Sequence, residues 1–201
     1  FGVDIIMDET KKTLERCITK LSDDRLREKT INSTRVYNGK IIHVKLETVV
    51  LPNGKQALRE IVDHKGAVAI IPITKEGNIV LVRQYRQAAR KIMIEIPAGK
   101  LSSKENPDDC AKRELLEETG FIAKEIYKVS SIYTTPGFSN EIIHIYIAKG
   151  LSFEKQQPDE NEFLDVKIYS PEEIKTLIKD NIICDGKTIL GLALAGIDVR
   201  I

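Results

Sequence analysis

Arg113-Glu114-Leu115-Leu116-Glu117-Glu118 places three carboxylates and an arginine within little more than one helical turn. An α-helix takes about 3.6 residues per turn, so residues three and four apart share a face. Glu114, Glu117 and Glu118 therefore project together. Like charges held that close repel one another and raise one another's pKa values. A strongly positive ligand relieves that repulsion, and a hard divalent cation with oxygen donors suits the residue type. The ordinary reading of such a run is a solvated helix face. The flanking residues argue for more. Asn106-Pro107-Asp108-Asp109 is a strong helix start, with Asn as the N-cap, Pro at the first helical position and acids in the first turn. Gly120 can close the same helix in a left-handed conformation. Upstream, Ile96-Pro97-Ala98-Gly99 reads as a strand running into a glycine-containing loop, whose carbonyls are further oxygen donors.

Other elements must hold that helix against its loop. Arg35-Val36-Tyr37, Ile41 to Leu51 and Gln56 to Asp63, separated by Asn38-Gly39 and Asn53-Gly54, read as a three-stranded antiparallel meander. So small a unit needs something to pack on. Asp8 to Lys20 has the apolar spacing of a short amphipathic helix. Ala67 to Ile73 is a continuous apolar run, the mark of a strand buried on both faces. Strands are expected at Ile79 to Arg86, Met93 to Pro97, Ala123 to Tyr133, Glu141 to Ala148 and Phe163 to Ile168. Helices are expected at Pro107 to Thr119, Pro171 to Lys179 and Lys187 to Ala195. Strands mixed with helices outside them imply an α+β or α/β sandwich. The domain reading is a helical extension over 1–33, a meander over 34–66 and the main domain over 67–201.

The 201 residues are 42% hydrophobic and 30% charged with a formal net charge of +1, the profile of a soluble globular chain. Nothing in it marks a nucleic-acid or membrane surface, and no apolar run reaches bilayer-spanning length. Phe1 to Glu9 lack the basic and apolar regions of a secretory leader. Cys17, Cys110 and Cys184 are odd in number and widely spaced, which implies reduced thiols and a cytoplasmic location. His43, His64 and His144 lie on strand-like segments and read as structural or surface residues.

Gly99, Glu105 and Arg113-Glu114-Leu115-x-Glu117-Glu118-x-Gly120-Phe121 match the Nudix box at every signature position, and the chain resembles the Nudix hydrolase superfamily. Pro136 at its spacing from Gly120, the loop Pro136-Gly137-Phe138-Ser139-Asn140-Glu141, the strand motif Arg83-Gln84-Tyr85-Arg86 and the acidic loop Asp159-Glu160-Asn161-Glu162 resemble the ADP-ribose pyrophosphatase branch. The resemblance implies an α/β/α sandwich around a mixed sheet, with a small N-terminal antiparallel β-meander that serves dimerisation. It implies Mg²⁺, with Mn²⁺ as an alternative, held by Glu114, Glu118 and the Ala98 carbonyl, with Glu117 sharing or holding a second ion. Glu162 would complete the shell. Glu160 is the first choice of general base and Glu141 its competitor. Arg113 would orient a box carboxylate such as Glu105. Arg86 would bind the diphosphate, Arg59 would act from the partner of a homodimer, and Phe138 would line the nucleoside site. The implied reaction is hydrolysis of ADP-ribose to AMP and ribose 5-phosphate. Another nucleoside diphosphate sugar such as ADP-glucose, or a non-catalytic ADP-ribose-sensing domain, are the alternatives.

Overall fold

The computed structural model describes residues 24–157 and 163–200, so the expected helix over Asp8 to Lys20 lies outside the described residues. The chain divides into two compact units, Phe1–Ile61 and Val62–Ile201. In the first, strands β1 (Lys29–Asn38), β2 (His43–Val50) and β3 (Gln56–Asp63) form a sheet in the order β1-β2-β3, with β1 and β2 antiparallel. Strand β1 starts at Lys29, earlier than the expected Thr34. Its residues are exposed along its whole length, so the polar run Lys29 to Ser33 shows no apolar alternation from which a strand could be read. Both Asn-Gly pairs fall at turns, but the loops exceed two residues. The Gly39 N–H donates to the Ile42 carbonyl at 3.0 Å, and the Leu51 N–H to the Lys55 carbonyl at 2.8 Å.

The second unit carries two sheets. Strand β4 (Ala67–Pro72) pairs in parallel with β9 (Ile142–Phe153) and antiparallel with β7 (Ala98–Lys100). With β8 (Phe121–Tyr133) beyond β9, the order is β7-β4-β9-β8. Strands β10 (Leu164–Tyr169), β5 (Ile79–Arg86) and β6 (Lys91–Glu95) form the other sheet in the order β10-β5-β6. The helices are α1 (Pro107–Thr119), α2 (Pro171–Lys179) and α3 (Gly186–Leu194). Successive side chains of a strand point to opposite faces, and β4 uses both. Val68 and Ile70 pack with Tyr146, Ala148 and the Cys110, Ala111 and Leu115 stripe of α1. Ala67, Ala69 and Ile71 pack with Ile79, Leu81 and Ile96 and with Ile174 and Leu192 of the other helices. The mixed sheet is thus covered on both faces, the α+β sandwich expected from the sequence.

Helix α1 keeps the bounds read from its caps. The Asn106 side chain accepts the Asp108 N–H, and Gly120 at φ 74° sends its N–H to the Leu116 carbonyl. Tyr146 donates its hydroxyl to Asp108 at 2.6 Å, tying the first turn to the sheet. Beyond the helix, the Glu154 N–H donates to the Gly120 carbonyl, the Gln157 N–H to the Glu117 carbonyl and Gln156 Nε2 to the Glu118 carbonyl. The stretch after β9 thereby satisfies the orphan carbonyls that a helix leaves at its C-terminus. A Cβ on Gly120 would lie 2.7 Å from a Phe153 ring carbon and 2.8 Å from the Gln156 nitrogen. Gly120→Ala combines left-handed strain of about 1–3 kcal/mol with that collision. Urea denaturation should show a loss of at least about 2 kcal/mol; a loss below about 0.5 kcal/mol contradicts this view of the cap.

Candidate functional site

The acidic face of α1 is not a solvated one. Glu114 is 7% exposed and Glu118 3% exposed, on the same stripe as Cys110, Ala111 and Leu115. Buried carboxylates are costly unless partnered, and β7 supplies the setting. Glu118 Oε2 accepts the Ala98 N–H at 3.0 Å. The Glu114 carboxylate lies so close over Gly99 that a Cβ there would sit 1.8 Å from its Cδ. Glycine at this position leaves the space that the carboxylate fills.

Arg113 organises the other side of the cluster. Its Nη1 donates to Glu114 Oε1 and Glu117 Oε2, each at 2.8 Å. Its Nε and Nη2 grip both oxygens of Glu105, at 2.8 and 3.0 Å. Glu105 is thus Arg113's partner, as the sequence led us to expect, but the same guanidinium also serves two box carboxylates. The Arg113 hydrogen bonds hold the Glu105 carboxyl down at about 2. Those carboxylates hold the Arg113 guanidinium firmly protonated, the Glu105 hydrogen bond foremost. Beneath it, burial pushes the Cys110 thiol up to about 12, which suits a core residue and not a nucleophile.

A second charged group borders the same edge. Arg86 Nε and Nη2 bind the two oxygens of Glu95, each at 2.8 Å, and Lys187 donates to Glu95 from α3. Glu95 is 1% exposed, whereas the Arg86 side chain is 40% exposed. The Glu95 hydrogen bond, followed by the charges of Glu95, Glu118 and Asp185, holds the Arg86 pKa up against burial. Burial pushes the Glu95 carboxyl up, but Arg86 and Lys187 outweigh it and leave it below the ordinary value. The sequence reading picked out Arg86 and missed Glu95 and Lys187. The available signal was a lone charge inside the apolar run Ile92-Met93-Ile94-Glu95-Ile96.

The loop between β8 and β9 carries Glu141 and Phe138. Glu141 Oε2 accepts the Thr134 hydroxyl at 2.7 Å, and Oε1 lies 3.3 Å from His64 Nδ1. The Val62 N–H donates to the Phe138 carbonyl, and Asn140 bridges Asp63 and the His64 N–H, so the loop is pinned at several points. Phe138 is 53% exposed. In the N-terminal unit Arg59 is paired with Glu28. Glu160 and Glu162 lie outside the described residues.

The donors along α1 and β7 fit a hard divalent cation. They are carboxylate and backbone oxygens, and Gly99 keeps the cradle clear. Among the described residues no three acidic, histidine or cysteine side chains already stand in a metal-holding arrangement. In this structure Glu114 and Glu117 are turned to Arg113, and Glu118 to the Ala98 N–H. A metal ion would compete with those protein donors for the same oxygens.

Residues 63–189 match the NUDIX domain family, and residues 28–62 match the nucleoside diphosphate sugar hydrolase N-terminal domain. An ADP-ribose pyrophosphatase of Bacillus subtilis (strain 168) is 45% identical over 81% of this chain and 89% of its own. A methanol dehydrogenase activator of Bacillus methanolicus is 44% identical over 82% of this chain and 90% of its own. The solved structure of an ADP compounds hydrolase shares the fold, with a TM-score of 0.75 and 22% identity over 85% of this chain and 92% of that one.

Two outcomes follow from the site's geometry. Gly99→Ala displaces the Glu114 carboxylate, so any divalent-cation affinity measured by calorimetry on the wild type should fall about tenfold or more while the fold persists; unchanged affinity contradicts the cradle. Glu105 has a folded pKa of about 2 against 4.5 for the free group. A depressed carboxylate contributes stability in full above its unfolded pKa and loses it as pH falls through the folded one. Melting temperatures of wild type and Glu105→Gln should therefore differ most above about pH 4.5 and converge toward about pH 2; a constant gap contradicts the pairing.

Proposed function

This chain belongs to the Nudix family, and from that premise we propose that it hydrolyses the diphosphate bond of ADP-ribose, releasing AMP and ribose 5-phosphate, with Mg²⁺ or Mn²⁺ as cofactor. The observation that carries this reading is the pair of buried carboxylates, Glu114 and Glu118, set against Gly99 and the Ala98 N–H. Such a site lacks a purpose in a purely structural helix, where apolar side chains would pack better. The 45% identity to a protein named ADP-ribose pyrophosphatase supports the choice of substrate.

Glu114, Glu118 and the Ala98 carbonyl would hold the ion, with Glu117 sharing and Glu162 added from the acidic loop. When bound, the ion draws charge from the diphosphate and lowers the pKa of water. Arg113 aims the Glu114 and Glu117 carboxylates through its Nη1 bonds. Arg86 offers a planar fork for a phosphate. Phe138, which is exposed on its loop, would meet the nucleoside. Glu160 is our first choice to take the proton of the attacking water. Glu141 is the competitor, and the Thr134 hydroxyl already orients its carboxylate.

The N-terminal sheet is proposed as a homodimer surface, from which Arg59 reaches the neighbouring protomer's site. In support, Ile31, Val36 and Tyr37 of β1 are exposed apolar residues on an open strand. A cytoplasmic location is proposed from the free thiols Cys110 and Cys184. Among the described residues no helix is long and apolar enough to cross a membrane.

Two further readings compete. The N-terminal match is described by nucleoside diphosphate sugars in general, so another nucleotide sugar such as ADP-glucose is the first. The likeness to a dehydrogenase activator makes a protein partner the second. Purified protein, with Mg²⁺ and no other protein, should release AMP from ADP-ribose faster than nucleotides from ADP-glucose or GDP-mannose. A faster release from another sugar overturns the substrate, and silence on all of them overturns the enzyme. Glu118→Gln should lower kcat at least about a hundredfold without loss of fold; near-normal turnover removes Glu118 from the metal shell. Of Glu160→Gln and Glu141→Gln, the variant with the larger fall in kcat identifies the base, and we expect it to be Glu160→Gln.

A further inference from the structure

Glu95 has no place in a strand by hydrophobicity, since it sits at the end of β6 in an otherwise apolar run and is 1% exposed. Four polar side chains converge around it. Arg86 comes from β5 with two parallel bonds of 2.8 Å, and Lys187 comes from α3. Lys187 also meets Asp185 at 2.9 Å, and Asp185 caps α3 by accepting the Thr188 N–H at 3.0 Å. The Thr188 hydroxyl in turn accepts the Ile96 N–H at 3.0 Å. Stability alone does not call for this network, because well-packed apolar residues commonly replace a buried ion pair without loss. Its charges have an order, however. Lys187 answers Glu95, and the positive N-terminal end of α3 answers Asp185. Arg86 is the open member of the network, with a side chain that is 40% exposed where Glu95 is 1% exposed.

We propose that Glu95 is a positioning residue, with Lys187 as its counter-cation, that locks the Arg86 guanidinium in the orientation that receives the substrate's diphosphate. This rests on the assignment of Arg86 to the diphosphate made above. A lone arginine on a strand end samples many rotamers and loses that freedom on binding. A fork fixed by a bidentate carboxylate has already lost it, so the gain appears in ground-state affinity. The network also makes the C-terminal helix part of the site, although α3 contributes no group to the acidic cluster.

The test compares wild type with Glu95→Gln, Arg86→Gln, the double variant and Lys187→Met. The readouts are calorimetric ADP affinity in Mg²⁺, KM and kcat on ADP-ribose, and melting temperature. Glu95→Gln keeps the shape but weakens the fork. It should raise the ADP Kd and the KM about tenfold while kcat changes much less. Arg86→Gln should do at least as much, and the double variant no more than Arg86→Gln alone, because Glu95 acts through Arg86. Lys187→Met should shift KM in the same direction. A Glu95→Gln variant that melts lower but binds ADP as wild type does overturns the proposal, as do additive losses in the double variant. A wild type that spares ADP-ribose yet binds ADP, with Glu95→Gln weakening that binding, overturns the substrate reading and leaves this one standing. A wild type that binds no ADP overturns both.

Discussion

The carboxylate of Glu114 occupies the space where any side chain at Gly99 would have to be. That one steric fact links the helix to the strand beside it. A carboxylate can be buried only where donors meet it, so the helix must sit where β7 offers backbone and where Arg113 can reach round its outer side. The caps at Asn106 and Gly120 fix the length of α1. The Cys110, Ala111 and Leu115 stripe on Val68 and Ile70 fixes its rotation, and the Tyr146–Asp108 hydrogen bond fixes its first turn. Each contact keeps Glu114 and Glu118 at the sheet edge instead of in water.

Charge around this edge is arranged in two groups of different character. On one side, Arg113 faces Glu105, Glu114 and Glu117, so carboxylates outnumber the guanidinium and the surplus favours a cation. On the other, Arg86 and Lys187 share the buried Glu95 at the end of β6, and the guanidinium stays partly open. A nucleoside diphosphate needs both: a place for a metal ion and a fixed cation for a phosphate oxygen. The Glu118 carboxylate also helps, after Glu95, to hold the Arg86 guanidinium protonated.

Much of this was legible in the sequence where the signal is local. Asn106-Pro107 and Gly120 are caps, and they gave the bounds of α1 without knowledge of anything distant. Strand β5 and helix α2 also kept their expected bounds, since each is an apolar pattern between clear breaks. Strand β9 runs on past the expected Ala148 to Phe153, with Gly150 at φ 65° set against the Lys124 side chain. Expected at Met93 to Pro97, β6 lies instead over Lys91–Glu95, where its pairing with β5 ends. Ala98 to Lys100, expected as the end of a strand running into a loop, is a separate short strand on β4. Least visible was the Glu95 network, because Lys187 meets Glu95 across 92 residues and no periodicity records such a pair. The pairing of Glu105 with Arg113 was anticipated, but the burial of Glu114 and Glu118 depends on the pairing of β7 with β4, which the local pattern did not show.

On the proposed function, the α1 carboxylates leave their protein donors to hold a divalent ion over Gly99. Crystals grown with Mn²⁺ and ADP test it directly through the anomalous difference map. A strong peak is expected about 2 Å from carboxylate oxygens of Glu114 and Glu118, with the diphosphate between that ion and the Arg86 guanidinium. A map with no ion at that edge, and with Glu114 still on Arg113 and Glu118 still on the Ala98 N–H, would contradict it.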